Sequence, residues 1–392
     1  MPRPHARAWF DRLFDLFPPA ISLFAALAVA SILLIALNAN VTDAYVALIT
    51  GAFGTENATA ETLVKAIPVL FVGIGICVAF RANVINIGGE GQMIAGAVAG
   101  VAVALGFGGQ MAPFMVVILS LVAGFIAGAL YGGLAGFLKA YFNVNEILST
   151  IMLNQVAVQM MNFLLNGPLL DPTEAGTNHI PKTARILAEI QLPRLTIGWT
   201  EGMELFARTR LHYGLLIAVL LAVVMYVLLW HTPLGYRIRA VGFNERASRY
   251  AGIPVRRQVV LATFLAGGCA GLAGVVQVLG LQYRLQTDGS PAGFTANAGF
   301  NGIVAALFGG LNPFGAIPAS IFFGGLLVGA QNMQRDIGVP ASLITAVNGI
   351  IVVFAVSSQV FVRRRRQRRL QAESPVIAKP EVVEVAPRKV EA

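Results

Sequence analysis

The sequence predicts an all-α polytopic membrane protein of about ten transmembrane helices, and three observations predict it. First, 56% of the 392 residues are hydrophobic and only 12% are charged, about half the charged fraction usual in soluble domains. Second, the apolar residues arrive in blocks near the roughly 20 residues that a helix needs to cross a bilayer. Third, the net charge of +9 is clustered: six arginines lie between Arg237 and Arg257 and six between Arg363 and Arg369. Nucleic-acid binding is another reading of such clusters. Their position beside apolar blocks instead fits cytoplasmic flanks obeying the positive-inside rule, so no nucleic-acid partner is expected.

Taken in order, Arg3, Arg7 and Arg12 precede an apolar run from Ala20 to Leu37. No small-residue cleavage site follows, so 18–38 is read as an uncleaved first span. Further spans are expected at 62–80, 91–108, 113–138 and 147–166. The polar stretch 167–210 is an expected external loop. A span at 211–230 leads into the basic loop 231–257, and spans at 258–281, 293–310, 313–332 and 340–361 complete the set. Segment 293–310 carries Asn297 and Asn301 and is glycine-rich, so a half-helix or re-entrant segment is the alternative there. With the N-terminus inside, this count places loop 231–257 and the tail in the cytoplasm, and loop 39–61, which has no Lys or Arg, outside. The expected organisation is a transmembrane domain over 1–361 and a basic, then disordered, cytoplasmic tail over 362–392. The expected location is the bacterial inner (plasma) membrane, with both termini cytoplasmic.

Gly124, Gly128, Gly132 and Gly136 recur every fourth residue, and Gly267, Gly271 and Gly274 form a second small-residue face. In lipid, such faces let helix backbones approach closely. They are read as packing surfaces and not as substrate contacts.

Absences narrow the function. Stretches 92–138, 259–283 and 289–334 contain no Asp, Glu, Lys or Arg, whereas ion-coupled carriers usually bury a charge. No lysine follows a glycine, so no GxxxxGK[ST] phosphate loop is present. Cys77 and Cys269 lie in apolar runs without metal-ligand spacing, and no metal or cofactor is expected. The four histidines fall outside spans or at their ends, which disfavours an intramembrane enzyme. Energy is therefore expected from a partner chain.

Loop 231–257 contains a short helix signal. Asn244 is a good N-cap with Glu245 in the first turn; Gly252 suits the position after the helix end, and Pro254 forbids continuation. Ala247, Arg249 and Ala251 would face outward. The bland alternative is an ordinary basic connector.

The pattern formed by Gly235, Arg239, Gly242, Asn244, Ala247, Ala251 and Gly252 resembles the coupling loop of ABC importer permeases of the branched-chain amino acid and simple-sugar class. The stretch Arg81-Ala-Asn-Val-Ile-Asn-Ile-Gly-Gly-Glu-Gly-Gln92 resembles the signature of the nucleoside branch, which is served by basic-membrane-protein lipoproteins. Asn145–Asn154 and Gly299–Gly315 agree with it. The likeness covers about residues 15 to 360. It implies an ATP-driven importer and an inverted repeat relating spans 2–5 to spans 7–10. The implied partners are an ABC ATPase subunit, a second permease in a heterodimer, and a substrate-binding lipoprotein or periplasmic protein. A permease for a simple sugar or other small polar solute, or a stand-alone carrier, is the alternative.

Independently of that resemblance, Gly88, Gly89 and Gly91 should break a helix. Such breaks face protein or a water-filled cavity, often near the bilayer midplane. Asn86, Glu90, Gln92, Asn154 and Asn301 are the candidate substrate-path residues. Alternatively, Asn86 and Glu90 only tie the break to its neighbours.

Overall fold

The computed structural model describes residues 40–174, 180–196, 208–287 and 289–338, residue 206, parts of 24–36 and a few residues within 346–354. The helices that matter here are α1 (Leu27–Ala36), α2 (Val41–Phe53), α3 (Glu56–Arg81), α4 (Gly89–Phe107), α5 (Pro113–Phe142), α6 (Glu146–Leu165), α7 (Gly214–His231), α8 (Pro233–Phe243), α9 (Glu245–Tyr250), α10 (Val255–Gln277, extended by a π-turn over Val278–Gln282), α11 (Pro291–Thr295), α12 (Ala298–Phe308) and α13 (Pro313–Ile337).

Among the described residues, seven helices are long and apolar enough to cross a membrane: α3, α4, α5, α6, α7, α10 with its π-turn, and α13. They correspond to the expected spans 2 to 7 and 9. The expected first span 18–38 and last span 340–361 lie largely outside the described residues.

Segment 293–310 does not form one continuous helix, so the expected single helical span is corrected here in the direction of its alternative, a half-helix. It divides into α11 and α12 because Ala296 and Asn297 take positive φ angles, 50° and 60°, which a right-handed helix cannot contain. The 11 residues of α12 reach about 16 Å, roughly half of a bilayer core. Loop 39–61 holds an unforeseen helix, α2, capped by Asn40, whose side chain accepts from Thr42 N–H at 3.0 Å. Loop 231–257 likewise holds α8 before the expected short helix.

α3 lies at the centre, buried continuously from Ala66 to Ala79. It packs on α10, α12 and α13, while α10 packs on α5, α4 and α3. The α5–α10 contact is made by the two glycine faces. A Cβ at Gly128 would lie 2.4 Å from the Gly267 carbonyl oxygen, and one at Gly271 would lie 2.2 Å from that of Gly124. The expected packing role of these glycines follows directly, because no larger residue lets the backbones meet.

At the end of the bundle opposite 231–257, segment 180–196 is strapped onto the π-turn region. Ile186 N–H donates to the Tyr283 carbonyl at 2.8 Å and Leu192 N–H to the Leu279 carbonyl at 2.9 Å. Arg210 closes the same end, donating to both oxygens of Glu61 on α3 at 2.7 and 2.8 Å.

Candidate functional site

After Arg81 the chain leaves α3, turns through Asn83 at φ 57°, and re-enters the bundle before α4 begins at Gly89. Its depth follows from its neighbours. A Cβ at Gly89 would lie 3.0 Å from a methyl of Val72, and one at Gly302 would lie 2.7 Å from the same methyl. Val72 is nine residues from Arg81 along α3, about 14 Å, close to half of a bilayer core. The starts of α4 and α12 therefore meet near mid-depth.

Glu90 joins them. Its Oε1 accepts from Gly299 N–H at 2.9 Å and from Phe300 N–H at 3.4 Å. These are first-turn donors of α12, which has no side-chain cap of its own because Asn297 is in the left-handed region. Thr295 reaches the same carboxyl group. Glu90 is 2% exposed and sits at the positive ends of two helix dipoles. Closeness requires glycine at 299, where a Cβ would lie 2.7 Å from Glu90 Oε1.

The amide residues stitch the re-entrant chain. Asn86 and Gln92 exchange two hydrogen bonds, at 3.1 and 3.0 Å, and Asn86 Oδ1 also accepts from Gly88 N–H at 2.9 Å. Asn154 of α6 accepts from Gly91 N–H at 2.8 Å and donates to the Ile87 carbonyl at 3.1 Å. Thr150, one turn earlier, accepts from Ile87 N–H at 3.4 Å. Thus Asn86, Glu90, Gln92 and Asn154 come together as ties across the break. Asn301 is half-buried on α12 and shares no side-chain hydrogen bond with them.

The second assembly is at the basic end. Thr232 caps α8, accepting from Gly235 N–H at 3.1 Å. Gly235 packs against the end of α7, where a Cβ would lie 2.1 Å from the Leu228 carbonyl oxygen. Gly242 packs against α3, where a Cβ would lie 2.0 Å from the Arg81 carbonyl oxygen. Trp230 lies beneath two guanidinium groups, Arg81 at 5.2 Å and Arg239 at 5.9 Å from its ring centre. Arg81 also donates to the Leu311 carbonyl at 3.2 Å, in the turn between α12 and α13. One arginine therefore joins α3, α7 and that turn.

α9 forms as its capping signals predict. Asn244 accepts from Ala247 N–H at 3.0 Å, and Gly252 takes φ +77°. Ala247, Arg249, Ala251 and Gly252 are exposed. So are Phe243, 85% exposed, and Tyr250, 93% exposed, which sequence reasoning did not single out. Gly235, Arg239 and Gly242 face inward and hold α8, rather than lining this surface.

Other contributors escaped the sequence reading. Trp230 gave no motif, and Thr150 lay in the Asn145–Asn154 stretch without being singled out. Lys65 did give a signal, a lone cation inside an apolar run. Among the described residues there is no group of three or more His, Cys, Asp or Glu that could hold a metal ion.

Comparison with known proteins shows the family. Residues 58–356 match the family described as branched-chain amino acid transport system / permease component. The chain is 35% identical to the guanosine ABC transporter permease protein NupP of Bacillus subtilis, over 88% of this chain and 94% of that one. It is 34% identical to the glucose ABC transporter permease protein TsgB13 of Haloferax volcanii, over 88% of each, and 29% identical to the nucleoside ABC transporter permease protein NupB of Lactococcus lactis, over 86% of this chain and 89% of that one. No solved structure matches the chain. With its paired helix breaks and its short capped helix beyond the bundle, this multi-pass membrane protein belongs to the branched-chain amino acid transport permease family and is a transport component rather than an enzyme.

Proposed function

We propose that the chain is the permease subunit of an ATP-driven ABC importer for nucleosides. The observation that carries this reading is α9: a capped helix standing clear of the bundle, with small and aromatic residues exposed, in a chain that has no phosphate-binding loop. A packed partner would cover Phe243, Ala247, Tyr250 and Ala251. We assign that partner as an ABC ATPase subunit. The Arg81–Trp230–Arg239 stack would then pass its movement to α3 and to the α12–α13 turn.

The arginine distribution supports placing α8, α9 and both termini in the cytoplasm of a bacterial inner membrane, with Glu61 and Arg210 outside. Ten crossings satisfy this sidedness, with the broken pair α11 and α12 together supplying the eighth. An inverted repeat of spans 2–5 and 7–10 is supported by equivalent packing: α3 on α12 and α13 parallels α10 on α4 and α5, and α4 and α12 start at one point and run apart. A second, related permease and a substrate-binding lipoprotein or periplasmic protein complete the importer. The pair of related chains NupP and NupQ in Bacillus subtilis supports a heterodimer. No cofactor on this chain is required.

The likeness to TsgB13 favours a second reading, a sugar permease. Uptake of labelled guanosine and labelled glucose by cells with and without this gene, partner subunits intact, separates the two. Gene-dependent guanosine uptake is expected. Glucose uptake alone would replace the nucleoside reading.

A further inference from the structure

α5 carries an exposed apolar stripe along most of its length. Val122, Ile126, Leu130, Leu134, Phe137 and Tyr141 recur every third or fourth residue, and all are exposed. At about 100° per residue they lie opposite the glycine face that packs on α10. Tyr141 ends the stripe, as tyrosines do at a membrane–water interface. There a cavity of about 440 Å³ opens between α5, α9 and α10, lined by Tyr141, Arg249, Ile253, Pro254, Arg256 and Arg257 among others. Its charge is one-sided. Glu245 is taken by Arg249 at 3.1 Å and Glu146 by Lys139, and among the described residues Arg256 and Arg257 are in no ion pair. The Arg256 guanidinium stands 5.4 Å from the centre of the Tyr141 ring, which holds it at the end of the stripe. α10 begins at the same place without a side-chain cap, so the unsatisfied N–H groups of its first turn add the positive end of a helix dipole.

We propose that this cavity binds the phosphate headgroup of an anionic phospholipid, with the acyl chains lying along the α5 stripe. Guanidinium groups hold phosphate oxygens through paired, charge-assisted hydrogen bonds, and basic pockets between spanning helices on the cytoplasmic side suit such headgroups. The stripe favours a lipid over a free phosphate ion, because only a lipid brings chains to cover it. The side of α9 favours a lipid over the ATPase: at about 100° per residue, Arg249 points away from Ala247 and Ala251, the face assigned to that partner. The cytoplasmic leaflet follows from the sidedness proposed above. A lipid held here joins the end of α5 to α9 and to the start of α10, so the position of α9 depends on anionic lipid.

The test is binding of phosphatidylglycerol, labelled on an acyl chain, to the full importer purified in detergent. Unlabelled phosphatidylglycerol, phosphatidylcholine of the same chain length and inorganic phosphate serve as competitors. Arg256→Gln with Arg257→Gln removes both unpaired charges. Arg237→Gln with Arg246→Gln removes as much charge from exposed positions of the same loop outside the cavity. Loss of a hydrogen bond from a charged group is worth about a tenfold change in affinity. The cavity pair is therefore expected to weaken phosphatidylglycerol binding about tenfold or more, while the control pair stays near wild type. If the cavity pair fails to reach the membrane, Arg256→Lys with Arg257→Lys replaces it, and several-fold weakening is expected because an ammonium cannot make the paired contact. Equal weakening in the cavity and control pairs overturns the site, since it shows only diffuse attraction. So does phosphatidylcholine competing as well as phosphatidylglycerol. Inorganic phosphate that displaces the lipid at matching concentration overturns it in favour of a free-anion site. A cavity pair that keeps the lipid but loses the ATPase subunit overturns it in favour of that interface. Uptake plays no part in these readouts, so the lipid site and the import reading fail separately.

Discussion

Glu90 of α4 caps α12 across the bundle, its Oε1 accepting the Gly299 N–H at 2.9 Å. The first prediction follows from the atom used. Glutamine at 90 still presents an oxygen to that N–H, whereas alanine leaves a buried donor without a partner, at about 1–3 kcal/mol. Glu90→Gln should keep most of its transport and its thermal stability in detergent. Glu90→Ala should lose much of both. Equal loss in the two variants would show that the charge itself is required.

The sequence made the break before α4 half legible: the chain is non-helical up to Gly88, but Gly89 and Gly91, expected to break the helix as well, lie in the first turn of α4. It also made α9 legible, because capping signals are local. Glu90's partner was not legible: Gly299 lies 209 residues away, and only the folded chain pairs them. The division of 293–310 was half visible. Asn297 hinted at it, but the left-handed turn at Ala296 leaves no mark in an alanine. α2 escaped because its cap, Asn40, introduces only 13 residues, too few for a span. Phe243 and Tyr250 were passed over because an exposed aromatic and a buried one look alike in a sequence.

The glycine seam gives the second prediction. Gly271→Val would drive a side chain into the Gly124 backbone, where even a Cβ stands 2.2 Å from the carbonyl oxygen. Overpacking costs about 1–3 kcal/mol or more when backbone must move, so folded protein in the membrane should fall sharply. Gly106→Ala, where a Cβ meets nothing within 4 Å, should accumulate normally. Membrane abundance by immunoblot checks both.

His212 gives the third. It accepts from Gly214 N–H through Nδ1 at 3.1 Å, and burial pushes its pKa down from 6.5 to about 4. The unfolded chain therefore binds its proton first as pH falls. Stability contributed by His212 is complete above about pH 6.5 and declines as pH falls toward 4. The unfolding temperature of the purified wild type should drop between pH 7 and pH 5. His212→Gln should show a shallower drop.

Trp230 gives the fourth. Removing the ring beneath Arg81 and Arg239 leaves α9 and its exposed face in place. Trp230→Ala should reduce uptake several-fold, since cation–π contacts are worth about 0.5–2 kcal/mol each, while an ATPase subunit still copurifies. Loss of copurification would show that the stack holds the docking surface rather than relaying its movement.

The central claim is that α9 is where an ATPase subunit engages this chain. Its most direct test is copurification of the ATPase with the permease carrying Ala247→Trp, with Gly252→Val as a second variant. Tryptophan at exposed Ala247 would hold two packed surfaces apart. Valine at Gly252, where φ is +77°, would strain the helix end. Both positions lie outside the helices long enough to span, so the variants should reach the membrane in normal amount. The account predicts that the ATPase is lost from the purified complex and that transport stops. Ala247→Trp with full transport and the ATPase still bound would contradict it.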